Sequence, residues 1–290
     1  MARRRPPTVH GLVLVDKAPG MTSHDAVYAL RKHFGEKRIG HTGTLDPDAT
    51  GLLVIGVGNA TRLIRFMGEM DKTYSCEIVF GSETNTLDDS GEVTARYDMG
   101  EIDIERARAV IADNLVGDIL QVPPMVSALR VDGVRLHELA RQGIEVERVA
   151  RPIHVYDFVV ESTDDPMVLR AKVRCGGGTY VRTLGADLGT LMGGGAHIRT
   201  LRRHAIGPYS IDESCTVEAP VLLDVIEAVR GMQQHVLSKD DIDDVLFGRV
   251  REAWLGDGPW AAINEQGELI AVFEKWRETL AKPTVVFGGR

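Results

Sequence analysis

The 290-residue chain is poor in cysteine and has no long apolar run. Its three cysteines, Cys76, Cys175 and Cys215, lie far apart, and no C-x-x-C pair occurs. That pattern gives neither a disulfide framework nor a zinc site. The apolar runs stop far short of the ~20 residues a helix needs to cross a bilayer. At the N-terminus, "MARRRPP" places Pro6 and Pro7 where a secretory signal would carry its apolar stretch, so it reads as a solvated basic tail or, less readily, as one that touches a polyanion. Asn59-Ala60-Thr61 fits a glycosylation sequon, but no other feature points to secretion. The expected location is the cytoplasm, with no membrane contact. Repeats and low-complexity tracts are absent, which excludes solenoids and linkers.

What remains is an ordinary globular composition, 43% hydrophobic and 26% charged. A chain of this length forms one large domain or two unequal ones and buries a substantial core. The net charge of −8 argues at first against a nucleic-acid partner. Counted by segment, residues 1–65 hold 10 Lys and Arg against 5 Asp and Glu, and residues 121–205 hold 12 against 9. Residues 66–120 hold 4 against 13, and residues 206–290 hold 8 against 15. If the two basic segments share a face, that face attracts phosphates while the far side stays acidic. Chance clustering gives the same counts, so charge alone leaves both readings open.

Periodicity predicts a mixed α+β chain. Leu12 to Val15 reads as a strand, followed by a helix with Ser23 as its N-cap and Ala26, Val27, Leu30 and Phe34 on one side. Leu52 to Val57 is a buried strand, and "TYSCEIVFG" (73–81) an alternating one. "DIERARAVIADNLVG" is an amphipathic helix closed by Gly117. "HVYDFVVES" and "MVLRAKVRCGG" pair around "TDDP", and "TYVRTLGADLGTLM" is a helix after a tight turn at Gly176 to Gly178. With strands outnumbering helices and no strict alternation, a mainly antiparallel sheet is expected rather than a doubly wound one. Residues 121–152 depart from the sheet. They carry Arg130, Arg135, His137, Arg141, Arg148 and Arg151, a turn at Asp132-Gly133, and a short helix broken by Gly143. From residue 236 an acidic helix capped by Ser238 and a hairpin turning at Gln266-Gly267 suggest a small β-rich domain. The expected division is 1–235 and 236–290.

The most pointed stretch is "GHTGTLDPDATGLLVIGVG", in which Asp46 and Asp48 flank Pro47 just before the buried strand. Read alone, these are either turn residues or one catalyst beside a turn residue. The stretch does not stand alone. Together with "DKAPGMTSHDAV", "DKTYSCEIVFGSETNTLDDSGEV", "RCGGGTYVRTLGADLG" and "AHIRTLRRHAIG" it resembles, in order over residues 10–210, the bacterial tRNA pseudouridine(55) synthases of the TruB family. The 121–152 excursion is similar to that family's RNA-gripping insertion, and the C-terminal segment to its PUA-like domain.

The resemblance implies an isomerase that flips a T-loop uridine of tRNA, breaks its N1–C1′ bond and rejoins the base through C5. No metal or cofactor is needed. Asp46 is implied as the catalytic carboxylate, suited to meet an electron-poor sugar or to help remove a ribose proton. Tyr74 is implied beneath the target uracil, where a flipped base is held by its face; its alternation with Cys76 and Ile78 equally fits core packing. Arg182 is implied as the partner of Asp46, with Tyr180 supporting the pocket and Leu201 forming an apolar wall. His41 fills the gap left by the flipped base, and Lys17 supports the active-site loops. Arg130, Arg135, Arg141 and Arg148 hold the T-arm. The enzyme is expected to act as a monomer without an obligate protein partner.

The chain departs from the family pattern in three places. Asp48 stands where an apolar residue is commoner, and would raise the proton affinity of Asp46 if the two approach. Arg130 replaces a lysine, which keeps the charge but changes its geometry. Residues 236–290 carry 7 Lys and Arg against 10 Asp and Glu, a poor surface for an acceptor stem. One rival reading is a tRNA-binding or folding module whose modification activity is incidental; such a module has no use for Asp46, Tyr74 and Arg182 together. A second is the guide-RNA-dependent relative of archaea and eukaryotes, against which the long "HELARQG" insertion and the lack of basic extensions count. A zinc deaminase would need H-x-E and P-C-x-x-C, and neither occurs.

Overall fold

The computed structural model describes residues 6–287 except 128 and 132, and only the backbone of Arg130, Val131, Arg135 and His137. The side-chain roles expected of Arg130 and Arg135, and Asp132 of the expected turn, therefore lie outside the described residues. The first apolar stretch forms β1 (Gly11–Lys17), and the helical pattern after it forms α1 (Ser23–Phe34). Its cap is Thr22, not Ser23. Thr22 Oγ1 accepts from the Asp25 N–H at 3.1 Å, and the Asp25 carboxylate accepts from the Thr22 N–H at 2.9 Å. This capping box starts the helix one residue earlier and leaves Ser23 free for another task.

β2 (Ile39–Thr42) and β3 (Thr50–Val57) pair antiparallel, with the Asp46 loop as their connection. α2 (Ile64–Gly68) leads to β4 (Lys72–Phe80), whose burial alternates residue by residue as the sequence pattern predicts. β5 (Ser82–Thr84) and β6 (Val93–Arg96) form a small ribbon. α3 (Ile104–Asn114) ends at Leu115, whose N–H closes the last turn on Ile111. Gly117 does not close this helix, as its position in the sequence suggested. It has φ +88° and opens β7 (Gly117–Gln121), reversing the chain into the sheet.

The excursion expected over 121–152 runs between Gln121 and Arg151, which pair within the sheet, and contains β8 (Arg130–Val131), β9 (Val134–Arg135) and α4 (Leu136–Arg141). β10 (Arg151–Ser162) returns beside β7 and pairs with β11 (Val168–Cys175). α5 (Val181–Leu191) and β12 (Ala196–Ile206) follow, then the short β13 (Tyr209–Ser210). Among the described residues the main sheet runs β1-β3-β12-β4-β11-β10-β7, with β2 on β3 and β13 on β12. Every pairing is antiparallel except the brief β3·β12 contact, which gives the mixed, mainly antiparallel sheet expected. α3 and α5 cover one face over a core that includes Cys76, Ile78, Phe80, Leu184 and Leu188.

A second sheet contains β14 (Gln233–Val236), β15 (Arg251–Glu252), β16 (Trp260–Ile263), β17 (Leu269–Arg277) and β18 (Leu280–Val286), with α6 (Lys239–Leu246) alongside. One apolar cluster runs from Leu12, Leu14, Leu52 and Val54 of the main sheet to Ala261, Leu269, Val272 and Val285 of this one. Arg62 donates to Val286 O at 2.7 Å and Arg65 to Thr284 Oγ1 at 3.0 Å. The two sheets thus share a core.

Candidate active site

The Asp46 loop is tied down at its base. Lys17, at the end of β1 and fully buried, donates from Nζ to the carbonyls of Ala18 (3.0 Å), Met21 (2.6 Å) and Pro47 (2.8 Å). Burial lowers its pKa to about 8, while the Asp48 and Asp46 carboxylates pull it back up. Ser23, released from capping, donates through Oγ to Leu45 O at 3.1 Å and accepts from Leu45 N–H at 3.0 Å. Leu45 immediately precedes Asp46, so the catalytic candidate leaves a backbone held on both polar groups. At the far end Gly51 has φ +101°, and a Cβ there would stand 2.2 Å from Arg203 O. Only glycine allows β3 and β12 to approach so closely.

The same sheet brings Arg182 to Asp46 from 136 residues away. Arg182 is in the first turn of α5, and Nε lies 3.0 Å from Asp46 Oδ2. Nη1 donates to Thr86 O at 2.6 Å and Nη2 to Val126 O at 2.8 Å. The guanidinium is held rigidly, with 4% of its side chain exposed, whereas 40% of the Asp46 side chain is accessible in its recess. Burial nevertheless raises the Asp46 pKa above the ordinary carboxylate value. Arg182 opposes that rise, Asp88 adds to it, and Lys17 opposes it more weakly. The carboxylate that adds most to this rise is Asp88, 3.7 Å from Arg182 Nε, rather than Asp48, whose influence was expected only if it approached Asp46. Asp48 acts on Lys17 instead.

Two cavities flank the ion pair. The larger, about 240 Å³, is lined by Asp46, Tyr74, Tyr180, Arg182, Leu201 and Arg203 among others. The smaller, about 90 Å³, is bounded by Pro47, Asp48, Asp88 and Thr200. Tyr74 is almost fully buried, and burial raises its pKa, so it presents a neutral phenol. Arg203, itself 1% exposed, lies across from Tyr74 with its guanidinium carbon 6.0 Å from the ring centre. It donates to Leu52 O at 2.7 Å and Gly43 O at 2.8 Å. Lys72 also lines the larger cavity and donates to Gly68 O at 2.9 Å and Met70 O at 2.7 Å. The lining of the larger cavity thus carries Lys72 and Arg203 besides Arg182. Leu201 reaches both cavities because β12 is irregular between Arg199 and Arg202, with Thr200 at φ +57°.

His41 lies on β2, with its ring edge-on to His24 at 5.6 Å. Its Nδ1 is buried without a hydrogen-bond partner among the described residues. Burial and nearby positive charge lower its pKa to about 4, so the ring is neutral at physiological pH. Tyr180 lines the larger cavity, and its backbone is bonded to Gln121. Arg141 is exposed, whereas Arg148 donates to Pro123 O at 3.1 Å and closes the root of the excursion. Sequence reasoning thus located Asp46, Tyr74, Tyr180, Arg182 and Leu201, which do converge. It passed over Ser23, Lys72, Asp88, Gln121 and Arg203. Lys72 alone carried a readable signal, since it occupies the buried phase of the alternating strand.

A carboxylate paired with a buried arginine therefore lines one cavity with a buried tyrosine. Residues 31–181 match the N-terminal domain of TruB family pseudouridylate synthases, and residues 182–246 the C-terminal domain of tRNA pseudouridylate synthase B. The tRNA pseudouridine synthase B of Arthrobacter sp. (strain FB24) is 38% identical over 96% of this chain and 96% of its own length. That of Mycobacteroides abscessus is 40% identical over 90% of this chain and 91% of its own. Among solved structures, a chain from a Cbf5–Nop10–Gar1 complex superposes with a TM-score of 0.73 at 22% identity, covering 97% of this chain and 85% of that one. A chain from an H/ACA RNP bound to a substrate RNA containing 2′-deoxyuridine gives 0.72 at 21%, covering 97% and 86%. These two show a shared fold. On the matches along its length, the chain belongs to the TruB family of pseudouridylate synthases.

Proposed function

We propose that the chain converts uridine 55 in the T-loop of tRNA to pseudouridine. The observation that carries this reading is the Arg182–Asp46 pair, 3.0 Å apart at a cavity that Tyr74 also lines. The C1′–N1 bond breaks with its electron pair going to uracil, and the base turns. C5 then bonds to C1′, C5 gives up its proton, and N1 gains one, so the product is an isomer. Asp46 serves the sugar side of this exchange, where positive character develops at C1′. Arg182 keeps that carboxylate ionised and oriented. Tyr74 supports the flipped base by its face, Leu201 walls the pocket, and Tyr180 shapes its rim.

In this reading His41, neutral and at the mouth of the Asp46 loop, takes the space the flipped base vacates. Arg130, Arg135, Arg141 and Arg148 belong to the insertion that holds the T-arm. Residues 1–235 carry the chemistry, and residues 236–290 are a PUA-like unit with too little positive charge to dominate RNA binding. The enzyme works as a monomer in the cytoplasm. Incubating the purified chain with an unmodified tRNA transcript and mapping pseudouridine tests the substrate. Modification at position 55 alone is expected; modification elsewhere, with position 55 untouched, contradicts the assignment.

A further inference from the structure

Gln121 is neither charged nor exposed, yet it joins the insertion to the reacting pair. It is the last residue of β7 and pairs in register with Arg151, the first residue of β10, so it marks the point where the insertion leaves the sheet. The residue is 2% exposed. Both ends of its amide are used on one residue: Nε2 donates to Tyr180 O at 3.1 Å, and Oε1 accepts from Tyr180 N–H at 2.8 Å. Only one orientation of the amide satisfies both groups, which settles which end is oxygen. Tyr180 is the N-cap of α5 and makes no side-chain cap of its own. The residue after next is Arg182, whose Nη2 donates to Val126 O at 2.8 Å, five residues beyond Gln121. The start of α5 and the root of the insertion are therefore bonded to each other on either side of the Arg182 side chain.

We infer that Gln121 is a positioning residue that holds the start of α5, and with it Arg182, in register with Asp46. Through this clamp the root of the RNA-gripping insertion is built into the active site rather than hung beside it. The inference rests on Asp46 and Arg182 being the reacting pair. Loosening Tyr180 lets the guanidinium drift from the carboxylate. The other charges facing Asp46 are Asp88 from the loop after β5 and Lys17 from β1, with Asp48 beside Lys17, and the neutral phenols of Tyr74 on β4 and Tyr180 before α5 face it too. Of these groups only Tyr180 is bonded to Gln121, so the change reaches Asp46 through the start of α5, which carries both Tyr180 and Arg182. A weaker Arg182 contact makes the carboxyl easier to protonate and the chemical step slower. Affinity for tRNA is left intact, because a buried neutral amide meets no phosphate.

The test uses the full-length chain and a tRNA transcript under single-turnover conditions across acid pH. Gln121→Met keeps the length and removes both bonds, whereas Gln121→Asn keeps the neutral amide but is one methylene short of Tyr180. For Gln121→Met the expected result is a roughly ten-fold slower step and an acid limb moved up by about half a pH unit. tRNA affinity should stay within about two-fold of the parent, since no phosphate contact is lost. Gln121→Asn should fall between, and it decides the matter if the Met variant does not fold. An unmoved acid limb overturns the inference, whether the rate is normal or slow, as does a loss of affinity alone. Asp46→Asn measured alongside separates the two layers: if it still turns over, the reading of the pair itself fails, whatever the Gln121 variants do.

Discussion

Replacing Asp88 with asparagine probes the electrostatics of the site most sharply. Arg182 Nε is shared, at 3.0 Å from Asp46 Oδ2 and 3.7 Å from Asp88 Oδ2, so these two oxygens stand no more than about 6.7 Å apart. At that distance two unit charges repel by about 2.5 kcal/mol at an effective dielectric of 20, and by about 0.6 kcal/mol in water. Asp46 is 40% exposed and Asp88 20%, which places the real value towards the lower end. A shift of about half to one pH unit follows. The sign is definite. The Asp46 pKa is raised, and Asp88 is among the causes, so removing that charge lets Asp46 hold its own charge at lower pH. The acid limb of kcat/KM, which reports groups of the free enzyme, should move down in Asp88→Asn. The maximum rate should fall at the same time, because Arg182 loses one of its anchors. An acid limb that moves up, or does not move while the variant stays folded, refutes the electrostatic account.

Ser23→Ala removes both bonds to Leu45 and should destabilise the fold by roughly 2 kcal/mol, with a larger relative loss of kcat than of tRNA affinity; thermal melts and single-turnover rates check this. Arg141→Gln should flatten the slope of log affinity against log salt by nearly one unit if this exposed side chain meets a phosphate. Arg148→Gln should change it less, because Arg148 is bonded to Pro123 O; equal slopes for the two variants contradict the distinction. Truncation before Ser238 strips β16, β17 and β18 from the cluster shared with Leu12, Leu14 and Leu52. Each large side chain so exposed costs roughly 1.5–3 kcal/mol, so the shortened chain should melt well below the full one. An unchanged melting temperature would argue for independent domains.

How much of this was legible in the sequence depended on whether a signal repeats along the chain. β4 shows its alternation in the sequence and in its burial alike, and the hairpin at Gln266-Gly267 stands where its turn residues predict. Asp46, Tyr74 and Arg182 were named because each sits in a motif that resembles the family, and the three line one cavity. Single contacts across the sheet left no such trace. Ser23 reads as a helix cap until Thr22 is seen to do that work. Asp88 belongs to an irregular loop whose carboxylate is turned inward by Thr86 and Ser90, and no period marks it. The bulge at Thr200 that brings Leu201 to both cavities arises from uneven pairing of β12 with β4, which no local propensity encodes. Gln121 shows its role only once Tyr180, 59 residues later, is placed beside it.

The central claim is that Asp46, and not its neighbour across Pro47, carries the chemistry. Pseudouridine formed per enzyme on a tRNA transcript should be measured for Asp46→Asn and Asp48→Asn beside the parent, with tRNA affinity determined for all three. Asp46→Asn should bind tRNA as the parent does and form no pseudouridine, while Asp48→Asn continues to turn over. An active Asp46→Asn beside an inactive but folded Asp48→Asn would contradict the account.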